Sequence, residues 1–201
     1  MAWTTPKTWT DTGVSASEFN EQIRDNETWV KAALTTIGQT SDSTLGQLRS
    51  AAYGCVLIRT ATQSISDATD TTVTFPTGSM TEQLDSDGFH SGATNTGRIT
   101  IPAGGDGWYL IGANVAFDVN ATGNRSVWVE LNGGAGTGTA IINQNNASFA
   151  TFANRFAVEA PYLLSSGQFV TLNVRQNSGG ALNVLANDYS VRFWALRLFA
   201  S

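Results

Sequence analysis

From about residue 52 to the C-terminus, apolar and polar residues alternate with a period of two, and no stretch between carries a helical period. The clearest run is 107–119: Tyr109, Ile111, Ala113, Val115, Phe117 and Val119 share one face, with Asn114 and Asp118 on the other. Successive side chains of a strand point to opposite sides of a sheet, so this run predicts a strand with one face buried. Val127, Val129 and Leu131 repeat the pattern. The same reading predicts strands at 54–61, 70–75, 97–101, 107–119, 125–132, 138–144, 152–164, 168–175 and 189–199. Turn signals separate them at Asp87-Gly88, Ala103–Gly107, Asn132-Gly133-Gly134 and Ser178-Gly179-Gly180. Many short strands without crossover helices exclude a parallel α/β sheet and predict an antiparallel β-sandwich.

Composition narrows the function. Charged residues make up 13% of the 201-residue chain, about half of the roughly 25% typical of soluble domains. With 41% hydrophobic residues the chain is not disordered. A net charge of −5 disfavours nucleic-acid binding, which needs clustered Lys and Arg. No apolar run approaches the roughly 20 residues of a membrane helix, and the polar residues after Met1 predict no secretory leader. Cys55 is the sole cysteine and His90 the sole histidine, which removes intramolecular disulfides, Cys-based zinc sites and multi-His metal sites. No cofactor is expected.

Before residue 52 the organisation differs. Residues 1–14 read as an extended arm carrying Trp3 and Trp9, which either fold back on the following helix or dock into a neighbouring subunit or assembly. Residues 15–37 predict a helix, opened by Ser15 and Glu18 at capping-box spacing. Within it Phe19, Ile23, Asn26, Val30, Ala33 and Ile37 are spaced 4, 3, 4, 3, 4, a heptad seam with one polar member. Such a helix packs either on its own globular domain or on copies of itself. A buried Asn that fixes register inclines the reading to self-association. Gly- and Ser/Thr-rich residues 38–50 read as a linker, placing an attachment arm, helix and linker at 1–50 and a β-domain at 51–201.

Two strands break the alternation. Cys55-Val56-Leu57-Ile58 and Phe193-Trp194-Ala195-Leu196, with Leu198 and Phe199, are apolar on both faces. Antiparallel sheets normally wet one face, so a second buried surface is implied. The expectation is that the first and last strands sit together and that Val56, Ile58, Phe193, Trp194, Leu196 and Leu198 form a subunit interface.

Those residues sit in a wider resemblance. Gly97-Arg98-Ile99-Thr100-Ile101-Pro102, Gly107-Trp108-Tyr109-Leu110-Ile111 and Val115-Ala116-Phe117 resemble the core strands of the complement globular head and tumour-necrosis-factor-like superfamily. Val127–Gly133 and the closing strand 189–199 resemble its next strand and turn and its aromatic, Leu-rich last strand. The likeness spans roughly 52–200 and departs at Ile99 and Ile111, where the family usually has Phe. It implies a ten-stranded jelly roll forming tight homotrimers about its first and last strands. A second resemblance lies upstream. Thr8–Gly13, Ser15–Asn20 and Ile23-Arg24-Asp25-Asn26 are similar to the leader of many tailed-phage structural proteins. That resemblance implies a virion-attachment end, with Trp3, Trp9, Phe19, Ile23, Arg24, Asp25, Asn26 and Val30 contacting other virion proteins.

Chemistry-bearing residues have plainer readings. His90 beside Asp85 and Asp87 has no partner pattern for a general base and reads as an exposed loop residue. Asp85-Ser86-Asp87-Gly88, with Asp67, Asp70, Asp106 and Asp188, lacks the terminal bidentate Glu of a calcium loop and reads as turns. Asn132–Gly138 lacks the Lys and following helix of a phosphate loop and reads as a hairpin connection. Cys55 reads as a buried thiol. Of Trp108, Trp128 and Trp194, which could each stack on a sugar, Trp194 fits the interface and Trp128 points outward. The combined expectation is a non-enzymatic phage virion protein: a homotrimeric fibre- or spike-type appendage whose head contacts a host-surface glycan or protein. The rivals are a decoration or head-fibre protein without a receptor, and a secreted cytokine- or complement-like ligand.

Overall fold

A computed structural model describes residues 23–28, 30, 53–186 and 191–200. The chain divides into two compact units, Met1–Ala51 and Ala52–Ser201. In the first, residues 23–28 and 30 are helical, and the Thr28 hydroxyl donates to the Arg24 carbonyl at 2.8 Å. Ile23 and Val30 are exposed, as are Arg24 and Asp25, while Asn26 is half-buried. Trp3, Trp9, Phe19, Ala33, Ile37, the Ser15/Glu18 pair and the 38–50 linker lie outside the described residues.

The second unit is an antiparallel jelly-roll sandwich. Its strands are β1 (Gly54–Arg59), β2 (Gln63–Ile65), β3 (Thr71–Thr72), β4 (Met80–Asp85), β5 (Arg98–Thr100), β6 (Gly107–Ala116), β7 (Asn124–Leu131), β8 (Thr139–Ala147), β9 (Arg155–Leu164), β10 (Phe169–Gln176), β11 (Leu182–Val184) and β12 (Val191–Ala200). One five-stranded sheet runs β4-β1-β12-β6-β9. The other runs β3-β10-β7-β8, with β5 also pairing β10, and β11-β2 form a small ribbon. The first and last strands are neighbours, Val56 opposite Trp194 and Leu57 opposite Phe193.

Alternation puts one set of side chains between the sheets. Tyr109, Ile111, Ala113 and Val115 of β6, Val127 and Val129 of β7, Val170, Leu172 and Val174 of β10, and Val191, Phe193 and Ala195 of β12 all belong to this core. Aromatic rings fill its width: Phe75 stacks on Phe193 at 6.1 Å, and Phe89 meets Tyr53 and Tyr109 edge-on at 5.1 and 6.2 Å.

Several expectations change. Among the described residues twelve strands stand where alternation predicts nine, because β2, β4 and β11 are short or polar and carry no apolar alternation. The 107–119 run ends as a strand at Ala116. Phe117 stays in the core through a single bridge to Val184, but Val119 beyond it is exposed. Phe193 is a core residue rather than an interface residue, since the β12 register turns its odd-numbered side chains up to Ala195 inward. His90 is buried, only 9% accessible, and not an exposed loop residue.

The strand ends define two poles. Gly54 opposite Leu196, Gly107 opposite both Ala200 and Leu164, and Asn132 bonded to Phe169 gather the start of β1, the end of β12 and the 101–106, 132–138 and 165–168 connections at one pole. Ala116 opposite Arg155 and Asn124 opposite Ala147 mark the other.

Candidate functional site

The outer face of the β4-β1-β12-β6-β9 sheet is the most unusual surface of the second unit. Its rows follow from the register. Leu84, Val56, Trp194, Gly112 and Glu159 lie side by side across five strands, and Gly54, Leu196, Leu110 and Pro161 form the next row. Beyond these, Trp108 stands opposite Leu163 and Phe199. The irregularity between Arg197 and Phe199 breaks the alternation, so that both Leu198 and Phe199 are exposed. Trp108, Leu163, Leu198 and Phe199 are 39–59% accessible, and the Trp108 and Phe199 rings lie 6.3 Å apart. Toward the other pole the same face turns polar, with Arg192 opposite Asn114. A contiguous apolar field graded into polar residues marks an interaction surface.

Trp194 has a built seat. Its indole lies over Gly112, where an added Cβ would come within 2.4 Å of Cζ2 and 2.8 Å of the Val158 carbonyl oxygen. No larger residue leaves room for the ring in this position. Of the residues expected at an interface, Val56, Trp194 and Leu196 are half-buried on this face and Leu198 is exposed at its apolar end. Ile58 is buried at 2% accessibility but stands apart from the core cluster, on the same side of β1 as Val56.

The opposite sheet carries buried polar groups that order its loops. The Glu130 carboxylate accepts from the Trp128 indole N–H and from the Gly136 and Gly138 amides at 2.8 and 3.1 Å. Asn173 Oδ1 accepts from the Thr72 hydroxyl at 2.7 Å and the Ala135 amide at 2.8 Å. The 132–138 hairpin connection is thereby folded back over β10 and β3. Arg125, fully buried, donates to the Thr122, Asn124 and Asn120 carbonyls, and Arg59 to those of Ala61, Thr62 and Thr74. Burial lowers the pKa of both guanidinium groups. Sequence reading missed these residues because strand alternation assigns Glu130 and Asn173 to solvent. Only the loop folding back covers them.

His90 is a structural clamp. Its ring nitrogens lie 2.9 Å from the Arg98 and Phe75 carbonyl oxygens, and Asp85 accepts from the Phe89 and His90 amides. A neutral imidazole carries one N–H and donates to one of these carbonyls; the imidazolium donates to both. The other acidic residues are dispersed. Asp67 accepts from the Gly179 amide, Asp106 from the Ser166 amide, Asp87 from the Tyr53 hydroxyl, and Asp70 pairs with Arg175 at 2.9 Å. Among the described residues no three His, Cys, Asp or Glu side chains gather to hold a metal, and Asp188 lies outside them. Burial pushes the Cys55 thiol far up, with Asp85 and Glu82 adding to the shift, so it carries no thiolate at neutral pH.

No family model and no curated protein matches the sequence. Solved structures do. Murine APRIL aligns with a TM-score of 0.55 at 15% identity over 74% of this chain and 100% of that one. Eiger TNF from S. frugiperda aligns at 0.51 and 12% identity over 75% of this chain and 94% of its own. The globular domain of zebrafish complement 1qA aligns at 0.51 and 12% identity over 74% and 99%. At such identities the likeness shows the fold: a jelly roll of the tumour-necrosis-factor-like and complement-head kind.

Proposed function

We propose that the chain is a non-enzymatic structural subunit of a bacteriophage virion, a homotrimeric appendage held by its N-terminal arm and helix and exposing the jelly-roll head. The apolar outer face of the β4-β1-β12-β6-β9 sheet carries this reading. Burying a large apolar side chain contributes about 1.5–3 kcal/mol, and Trp108, Leu163, Leu198 and Phe199 stand ready at one end of that face. Copies packed through it would leave the other sheet and both poles outward, where weak contacts to a host-surface glycan or protein gain from threefold repetition. The leader-like segment Thr8–Asn26 supports the virion setting, and exposed Ile23 and Val30 give its helix an unfilled apolar seam.

The head's likeness to APRIL, Eiger TNF and complement 1qA favours a second reading, a secreted cytokine- or complement-like ligand. Incorporation separates the two. Replacing Phe19, Ile23 and Val30 together by Asp should exclude the chain from particles when supplied in trans to an assembling phage, while the unaltered chain is labelled on particles by immunogold. Absence of the unaltered chain from particles, or incorporation of the triple variant at its level, defeats the attachment model. Adhesion of the purified chain to host cells then distinguishes a receptor-binding appendage from a decoration protein.

A further inference from the structure

On the outward side of the β10 sheet lies an open groove of about 410 Å³ between Thr72 and Thr74 on one side and Asn95–Arg98, Phe169 and the Gly133-Gly134 wall on the other. We infer that this groove binds a carboxylate-bearing saccharide. The Arg98 guanidinium lies 4.6 Å from the centre of the Phe169 ring, held flat by cation–π attraction, and no carboxylate is among the groove's lining residues. Asp70, whose Oδ2 lies 3.0 Å from the place of a Gly136 Cβ, is already taken by Arg175. The groove therefore presents one uncompensated planar cation, the partner that receives a carboxylate through two parallel N–H bonds.

Hydroxyls and an amide surround that cation. Thr96 and Asn95 supply neutral donors and acceptors suited to sugar hydroxyls, Thr72 and Thr74, whose hydroxyls donate to Asn173 and Gln63, keep acceptor capacity, and no second Lys or Arg favours a dianion such as phosphate. The walls are fixed before any ligand arrives. Thr171 donates to the Gly133 carbonyl at 2.6 Å, and Glu130 and Asn173 hold the rest of the 132–138 connection. Glycine keeps the groove open: a Cβ on Gly97 or Gly134 would come within 2.7 Å of the Thr72 side chain. The groove faces away from the apolar face of the other sheet, so assembly through that face leaves it accessible. The inference concerns the head alone and stands whether or not the chain belongs to a virion.

The test is calorimetric titration of the full chain with tetragalacturonic acid and with its methyl ester, which keeps the sugar framework and removes the charge. The acid should bind at least roughly tenfold more tightly than the ester, the loss expected for one charge-assisted pair. Arg98→Ala should abolish that preference, and Arg98→Lys should retain part of it, with native mass and thermal midpoint as folding controls. The acid/ester comparison on the unaltered chain stands even if Arg98→Ala fails to fold. Equal binding of acid and ester, no binding of either, or an Arg98→Ala protein that still prefers the acid overturns the inference.

Discussion

Replacing Gly112 by alanine adds a single methyl group to the outer face and tests the seat of Trp194. The new Cβ would lie 2.4 and 2.7 Å from two indole carbons and 2.8 Å from the Val158 carbonyl oxygen. The last contact is to backbone in a strand hydrogen-bonded along its length to β6, so the ring must move and the β9 backbone must also give way. Overpacking of this kind costs about 1–3 kcal/mol, and for a unit of this size each kcal/mol lowers the thermal midpoint by about 2–4 °C. The midpoint should therefore fall by roughly 2–12 °C. Circular dichroism at fixed chain concentration reads it. The cause is isolated by repeating the substitution on a Trp194→Leu background, where the indole is gone. The alanine should then cost at least about 1 kcal/mol less, a coupling typical of residues in direct contact. Equal cost in both backgrounds, or none in either, refutes the argument that Gly112 exists to seat Trp194.

Three further predictions follow from the fold. His90→Leu removes the one N–H that a neutral ring donates to the Phe75 or Arg98 carbonyl and should cost about 1–3 kcal/mol in urea unfolding, one desolvation penalty; a loss below half a kcal/mol would dismiss the clamp. Burial pushes the Tyr109 phenol up to about 12, with nearby Tyr53 adding to the shift, and its hydroxyl donates to the Gly105 carbonyl at 2.6 Å. Its folded pKa lies above the ordinary phenol value of 10.0, so the unfolded chain ionises first and this contribution is lost as pH rises from 10 to 12. Tyr109→Phe should flatten the fall in urea midpoint over that window, and an unchanged slope would contradict the assignment. Leu198→Glu with Phe199→Ser should lower native mass while leaving circular dichroism unchanged, whereas an unaltered mass would remove the apolar end of the face from the interface.

How far the sequence could be read depended on which interactions were local. Strands β6, β7 and β10 announced themselves because each carries its own alternation, whereas β1 and β12 stood out by being apolar on two sides, from which their pairing followed. β4, with the sequence Met80–Asp85, carries no such signal and becomes a strand only because β1 offers it an edge. Phe193 was misassigned because a strand apolar on both faces does not state which face is inward. The register with Ala113 and Leu57 decides that. Glu130, Asn173 and His90 were invisible for a different reason: the 132–138 connection folds back over Glu130 and Asn173, and the His90 ring is held between the Phe75 and Arg98 carbonyls. Of the candidate face, Val56, Trp194, Leu196 and Leu198 were legible from two-sided apolarity. Trp108, Leu110 and Leu163 were not, since strands β6 and β9 show their outward apolar residues only once the strands are laid in register.

The native mass of the full-length chain in solution tests the central claim most directly. Sedimentation equilibrium across micromolar concentrations should give three times the 21.3 kDa chain mass. A stable 21.3 kDa monomer, with Trp108, Leu163, Leu198 and Phe199 left open to water, would contradict the account.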